Sequence, residues 1–235
     1  MPVRIYHIHG LPLLTAKGYR KSLLRWSEAA ACRFATEVWC VSFSVRDEAV
    51  REGLCPSTKI RVLRSGSING VDSRGYFNPG RFGETDRLEV RRRFGIDPGA
   101  PVVGFVGRVV RDKGVRELVK AWKMVRSAIP NARLMVIGEF EEQDSPGRDT
   151  IEAMESDRSL CLVGKVTSGM APFYAAMDLL ALPTYREGFP VTAMEAGSMG
   201  LPVVATRVPG CVDGVEDGVT GTLVPVRDAE ALAGA

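Results

Sequence analysis

Two glutamates, Glu187 and Glu195, stand eight positions apart in the stretch REGFPVTAMEAGSMGLPVV, residues 186–204. The first is followed by Gly188, Phe189 and Pro190, and the second lies in a run of small residues that reads as a helix. A buried carboxylate is costly unless something pairs with it. Proline fits the first helical turn, where its missing N–H costs nothing. The backbone amides of Gly188 and Phe189 would then lie at the positive end of the helix, a seat for phosphate or sugar oxygens. Gly188 lets the chain come close. Glu195, about 7–8 Å further along the helix axis, could accept hydrogen bonds from a vicinal diol such as a ribose. One ion-paired acid and one solvated acid would fit the same residues.

A second constellation is VGFVGRVVRDKGV, residues 103–115. Gly107 ends a continuous apolar run, and Arg108 and Lys113 flank a loop that opens a helix at Gly114. Strand ends of this kind form the ligand crevice of open α/β sheets, and two cations there suit a diphosphate. The loop follows neither G-x-x-x-x-G-K-[ST] nor G-x-G-x-x-G, and two solvated bases on a surface loop remain an alternative.

The elements that must position these residues alternate. Short apolar runs at 101–107, 133–139, 160–165, 179–184, 202–206 and 221–225 read as strands buried on both faces. Val115, Leu118, Val119, Trp122 and Val125 recur at helical spacing. Such a series predicts an α/β fold with a parallel sheet covered by helices. The first part has a shorter rhythm: a strand at 3–10, a helix over 16–36, a strand at 38–42, a short helix capped by Ser44, and a strand at 59–66. Residues 67–85, rich in Gly, Asn, Asp and Ser, have the composition of a domain junction. A helix at 85–94 follows. Two α/β units of unequal completeness are expected, 1–80 and 81–235, and the chain reads as a fragment lacking material at both ends.

Composition narrows the class. Of 235 residues, 45% are hydrophobic and 25% charged, as in a soluble globular protein. No apolar run reaches the ~18 residues of a membrane helix, and the opening MPVRIYHIHG lacks a signal-peptide pattern. A cytoplasmic location is expected. The five cysteines form no C-x-x-C, so reduced, mostly buried thiols are expected. Residues 1–98 carry 17 basic against 10 acidic residues, whereas 99–235 carry 14 against 18. The basic first part could face an anionic partner such as a membrane surface. Arg91-Arg92-Arg93 is read as an exposed helix face, since no nucleic-acid motif accompanies it.

Taken together, GRVVRDKG (107–114), REGFPVTAMEAGSMGLPVVAT (186–206) and GVEDGVTGTLVP (214–225) resemble the retaining glycosyltransferases of family 4, which have the GT-B fold of two Rossmann-like domains. NGVD (69–72) followed by Phe77 resembles that family's interdomain linker. The resemblance runs from about residue 4 to 230 and implies that the first domain, 1–80, is an incomplete acceptor-side remnant. Residues 81–235 would be the nucleotide-sugar-binding domain. It implies that Arg108 and Lys113 bind the donor diphosphate and that Glu195 holds the ribose. Glu187, with the Gly188 and Phe189 backbone, would face the sugar and its phosphates. Val163, Lys165 and Val166, in VGKV, would meet the base, and Thr222 and Leu223 would lie near ribose and phosphates. His9 resembles the histidine beside the transferred sugar; it is preferred to His7 because Gly10 places it at the strand end.

What the resemblance implies chemically is transfer of a sugar from a nucleoside diphosphate sugar, a UDP-sugar by the family's habit, to a lipid-linked or glycan hydroxyl. No cofactor or metal would take part, and no D-x-D pair occurs in the chain. The cations would stabilise the departing nucleotide electrostatically. A GT-B nucleotide-sugar epimerase and a catalytically incomplete nucleotide-binding fragment are the alternatives. Asp213-Gly214 departs from the family pattern, where many relatives carry Pro-Glu.

Overall fold

The computed structural model describes residues 3–67 and 69–235. Met1, Pro2 and Ile68, the last inside the expected linker, lie outside the described residues. The chain divides into two compact units, each assembled from separated stretches of sequence. Unit 1 takes residues up to Gly70 together with Arg186–Val191 and Arg207–Gly214; unit 2 takes Val71–Tyr185, Thr192–Thr206 and Val215–Ala235.

Unit 1 is a three-stranded parallel sheet of β1 (Ile5–Ile8), β2 (Glu37–Cys40) and β3 (Ile60–Val62), in the order β1-β2-β3. Two helices make the crossovers, α1 (Gly18–Phe34) between the first pair and α2 (Phe43–Arg51) between the second. Ile8, Val38, Cys40 and Ile60 from the strands meet Leu11, Leu13, Cys32, Val45 and Ala49 in one apolar core. Each large aliphatic side chain buried there stabilises the fold by about 1.5–3 kcal/mol. The expected helix cap shifts by two residues. Ser42, not Ser44, is the N-cap of α2, accepting from the Val45 amide at 3.4 Å. Ser44 lies inside the helix, and Asp213 covers the amides of Phe43 (3.1 Å) and Ser44 (3.2 Å) while also taking the Ser44 hydroxyl. A carboxylate on the first amides of a helix both satisfies them and opposes the helix dipole. That gives the Asp213 departure a structural role.

Unit 2 opens with α3 (Glu84–Arg93) and then builds a six-stranded parallel sheet. Its strands are β4 (Val102–Val106), β5 (Arg133–Ile137), β6 (Leu160–Gly164), β7 (Leu179–Leu182), β8 (Val203–Thr206) and β9 (Gly221–Val224). The crossover helices are α4 (Val115–Ala128), α5 (Arg148–Ser156), α6 (Ala171–Ala176) and α7 (Val191–Ser198), and α8 (Ala229–Gly234) follows β9. The strand order is β6-β5-β4-β7-β8-β9, so the chain builds outward from β4 to β6 and then returns to the other side of β4. That reversal makes the carboxyl ends of β4 and β7 a topological switch point, the usual ligand crevice of such sheets.

The apolar runs are strands for the expected reason: every residue of β8 is buried. On α4, Val115, Leu118 and Trp122 are buried against Phe105, Leu134 and Val136, with Val119 and Val125 packed beside them. The Trp122 indole N–H donates to Ser159 at 2.9 Å. All five cysteines are buried, and none of them is in a disulfide. One expectation fails: Arg91 is not part of an exposed face. It is 1% exposed, donates to the carbonyls of Ala176, Pro98 and Ala100, and pairs with Asp178 at 2.9 Å. A guanidinium can be buried when its donors find acceptors, and four hydrogen bonds from Arg91 do so here.

Candidate functional site

The loop after β4 carries the first candidate residues. Gly107 donates to the Ile137 carbonyl at 2.9 Å and Val109 to that of Glu139 at 2.7 Å, so the loop continues alongside the chain leaving β5. It closes through a turn at Arg111–Lys113 into Gly114, whose φ of 70° is left-handed. A Cβ on Gly114 would collide with the Pro183 carbonyl. Thr184 and the Tyr185 amide both donate to the Asp112 carbonyl, at 3.1 and 2.8 Å. The cation loop is therefore clamped to the end of β7, at the switch point.

Arg108 is exposed and pairs with Glu141 at 2.8 Å; Lys165, past the end of β6, pairs with Glu139 at 3.0 Å. Lys113 is half-buried in the turn. Behind the two pairs, a hollow of about 450 Å³ is lined by Val109, Gly138, Glu139, Phe140, Val163 and Gly164. Of the predicted group, Arg108, Lys165 and Val163 thus come together at the ends of β4, β5 and β6. Val166, half-buried, follows Lys165.

Glu195 is half-buried on α7 and accepts a 2.7 Å hydrogen bond from the Tyr174 hydroxyl. Burial raises its carboxyl above the usual value, and the Tyr174 bond pulls it partly back. Burial, reinforced by the neighbouring Glu195 charge, raises the Tyr174 phenol far above its usual range, so it stays a donor. The Tyr174 ring is fully buried and meets Phe77 edge-on, with ring centroids 6.0 Å apart. Phe77 follows the Asp72 turn, in which that carboxylate takes the amides of Gly75 and Tyr76, both at 2.9 Å.

Thr222 and Leu223 sit on β9, the edge strand opposite β6. Five strand spacings, roughly 24 Å, separate those edges. The sheet therefore does not bring these two together with Lys165. Leu223 is buried and its amide donates to Asp217 at 2.9 Å, while Thr222 is exposed.

In unit 1, His9 is exposed at the end of β1, and its ring lies 4.3 Å from that of His7. Burial, then the neighbouring His9, holds the His7 pKa below its usual value. The Glu187–Phe189 segment crosses this strand end so closely that a Cβ on Gly188 would collide with the His9 carbonyl oxygen. The Ser42 hydroxyl, fully buried, donates to the Gly188 carbonyl at 2.8 Å. Glu187 and Phe189 are half-buried. The structure thus brings His9 together with Gly188.

Sequence reasoning missed Tyr174, Glu139 and Glu141. Tyr174 lies 21 residues before its partner, so no local spacing announces it. The acids of GEFEEQD, directly after β5, were legible as neighbours of the β4 loop once both strands were placed side by side. Among the described residues, no group of three His, Cys, Asp or Glu is placed to hold a metal ion, and no helix is long and apolar enough to cross a membrane.

Residues 100–235 match the family described as glycosyl transferases group 1. The chain belongs to that family. It is 32% identical over 99% of its length to the capsular polysaccharide biosynthesis glycosyltransferase CapM of Staphylococcus aureus, spanning 59% of that relative. A D-inositol 3-phosphate glycosyltransferase of Segniliparus rotundus is 37% identical over 66% of this chain and 34% of its own. Among solved structures, HepE of Anabaena in complex with UDP-glucose superposes with a TM-score of 0.81 at 26% identity, covering 98% of this chain and 60% of that one. The fold class is that of the GT-B glycosyltransferases.

Proposed function

We propose that this chain is part of a retaining, metal-independent glycosyltransferase that moves a sugar from a UDP-sugar to a hydroxyl of a lipid-linked or growing polysaccharide acceptor. The stretch 81–235 is the nucleotide-sugar-binding part. Residues 1–80 belong to the acceptor side, on the cytoplasmic face of a membrane. The observation that carries the reading is the β4 loop, with Arg108 and Lys113 held at the switch point of a six-stranded parallel sheet. CapM, whose name states capsular polysaccharide biosynthesis, and HepE with its bound UDP-glucose support the class of acceptor and donor.

In this reading Arg108 and Lys113 neutralise the diphosphate as the bond to the sugar breaks, which is transition-state electrostatics and requires no proton transfer to the nucleotide. Glu195 accepts from the ribose hydroxyls. Val163, Lys165 and Val166 border the base, in the hollow beside Phe140. The ribose and phosphate roles that the resemblance implies for Thr222 and Leu223 are left out of this reading, because β9 lies across the sheet from the residues that border the base. His9, Glu187, Gly188 and Phe189 have the roles toward the transferred sugar that the family resemblance implies.

The deciding experiment is calorimetric titration with UDP, GDP and ADP, followed by an assay of UDP release from UDP-sugars with and without acceptor. Binding of UDP with acceptor-dependent release supports the proposal. Isomerised donor without acceptor indicates an epimerase, and binding without release indicates a nucleotide-binding chain alone.

A further inference from the structure

The turn after β9 holds an arginine in an uncommon conformation. Arg227 has a φ of 62°, in the left-handed region. A residue other than glycine enters that region at a cost, and where one persists it tends to stand at a ligand site. Glycine would make the same turn freely. What the arginine adds is the place its side chain reaches. Its guanidinium carbon lies 4.6 Å from the centre of the Tyr185 ring. Tyr185 follows β7, whereas Arg227 follows the edge strand β9, two places further along the sheet. The side chain therefore brings a positive charge from the edge of the sheet back to the switch point, on the face where the carboxyl ends of the strands lie.

Tyr185 is a fixed platform. Its hydroxyl donates to Glu117, in the first turn of α4, and its amide to the Asp112 carbonyl at 2.8 Å. Burial and then the Glu117 bond raise the phenol above its usual value, against the pull of the Arg227 charge, so the hydroxyl keeps its proton. Thr184, next to it, is fully buried, and its carbonyl accepts from the Thr206 hydroxyl of β8. Asp112, held from the other side, directly precedes Lys113 in the cation loop.

The head group on this platform is open to an anion. A guanidinium stacked on an aromatic face turns its N–H edge outward, and that fork matches phosphate oxygens. Arg227 is exposed, and among the described residues it forms no ion pair. Of the acids nearby, Asp228 caps α8 through the Ala231 amide at 2.9 Å, and Glu117 takes the Tyr185 hydroxyl.

We propose that Arg227 is a third cation for the donor diphosphate, held on Tyr185 beside the turn that carries Lys113. The inference rests on the donor reading above and adds to it a binding residue outside the motifs that carry the family resemblance. It also gives the extra charge a purpose. When the bond between the sugar carbon and the phosphate oxygen breaks, its electron pair stays on that oxygen. The acceptor oxygen forms the new bond to the sugar and gives up its proton. The leaving nucleotide thus carries one more negative charge than the donor had, and a third cation favours it over the intact donor.

The test is calorimetric titration of the full chain with UDP and with UDP-glucose, beside thermal unfolding of the same samples. Arg227→Gly should weaken UDP about tenfold and UDP-glucose less, while its melting midpoint does not fall, because glycine relieves the left-handed backbone. Arg227→Lys, which keeps the charge without the fork, should lie between. Tyr185→Leu should lower UDP affinity through loss of the platform, and adding Arg227→Gly to it should cost less than in the unaltered protein. Unchanged UDP affinity in Arg227→Gly, with Arg108→Ala weakened, would overturn the inference and leave the donor site standing. An affinity loss accompanied by a lowered midpoint would assign Arg227 to the fold instead. Absence of UDP binding by the unaltered chain would remove the donor reading and this inference together.

Discussion

The Tyr174 hydroxyl donates to Glu195 at 2.7 Å from a fully buried ring, so one carboxylate oxygen is held in place. In the proposed reading Glu195 meets the ribose hydroxyls as a carboxylate, and burial opposes its ionisation while the Tyr174 bond favours it. Nucleotide affinity should therefore fall as pH drops through the raised Glu195 pKa. Tyr174→Phe removes the favourable partner, raises that pKa further and moves the acid limb of binding to higher pH. At neutral pH the loss should be about 1.5 kcal/mol, roughly tenfold in the UDP dissociation constant. Calorimetry with UDP and 2′-deoxy-UDP checks it: the preference for ribose should shrink, and an unchanged preference would show that the pair is structural only.

Arg108 and Glu141 form an exposed pair, with side chains 58% and 39% exposed. Such pairs are worth about 0–1 kcal/mol, so a diphosphate can displace the carboxylate. Arg108→Ala should weaken UDP binding about tenfold by removing a charge-assisted contact. Glu141→Gln should tighten it roughly threefold, by releasing the arginine without removing it. Both effects should diminish in high salt. Titrations of the two variants at low and high ionic strength are the measurement, and opposite signs are the expected result.

Much of the scaffold is legible in the sequence because strand and helix periods there coincide with real burial. VVGFV is a buried strand, and the Val115–Leu118–Trp122 spacing is the face of α4 that covers it. The cation loop could be placed because Gly107 and Gly114 bracket it and a strand precedes it. What stayed hidden depends on contacts far apart in sequence. Arg91 looks like one of three surface arginines until Asp178, 87 residues away, is seen to meet it. Asp213 looks like a broken motif until it is found on the first amides of α2. Tyr174 has no distinguishing neighbour of its own. Periodicity reports which face is buried, not which polar atom it finds.

The Arg91 pairing predicts a stability effect with a definite pH dependence. Burial works against an ionised Asp178, but the Arg87 hydrogen bond, the Val102 amide and the Arg87 and Arg91 charges together hold its pKa below the usual value. Its contribution is therefore present above the ordinary carboxylate pKa and lost as pH falls through the lowered one. Asp178→Asn leaves Arg91 buried without its counter-charge. At neutral pH it should cost about 2 kcal/mol, below the 3–5 of a fully enclosed pair because Asp178 is partly exposed. Urea unfolding at neutral and acid pH should show the difference between the two proteins narrowing toward acid.

Gly188 and Gly197 make a paired test of why glycine occurs in the REGFPVTAMEAGSMG stretch. A Cβ on Gly188 would meet the His9 carbonyl oxygen and lie 3.2 Å from a Val41 methyl, so the backbone beside β1 would have to move. Gly188→Ala should destabilise unit 1 by about 2–3 kcal/mol, the cost of overpacking where the obstacle is main chain. Gly197 is inside α7, with nothing within 4 Å of an added Cβ. Gly197→Ala should instead stabilise the protein by about 0.5–1 kcal/mol, because it removes freedom from the unfolded chain and adds helix propensity. Denaturant midpoints of the two variants should move in opposite directions. Equal shifts would mean that close approach of the chain at His9 does not determine the choice of glycine at position 188.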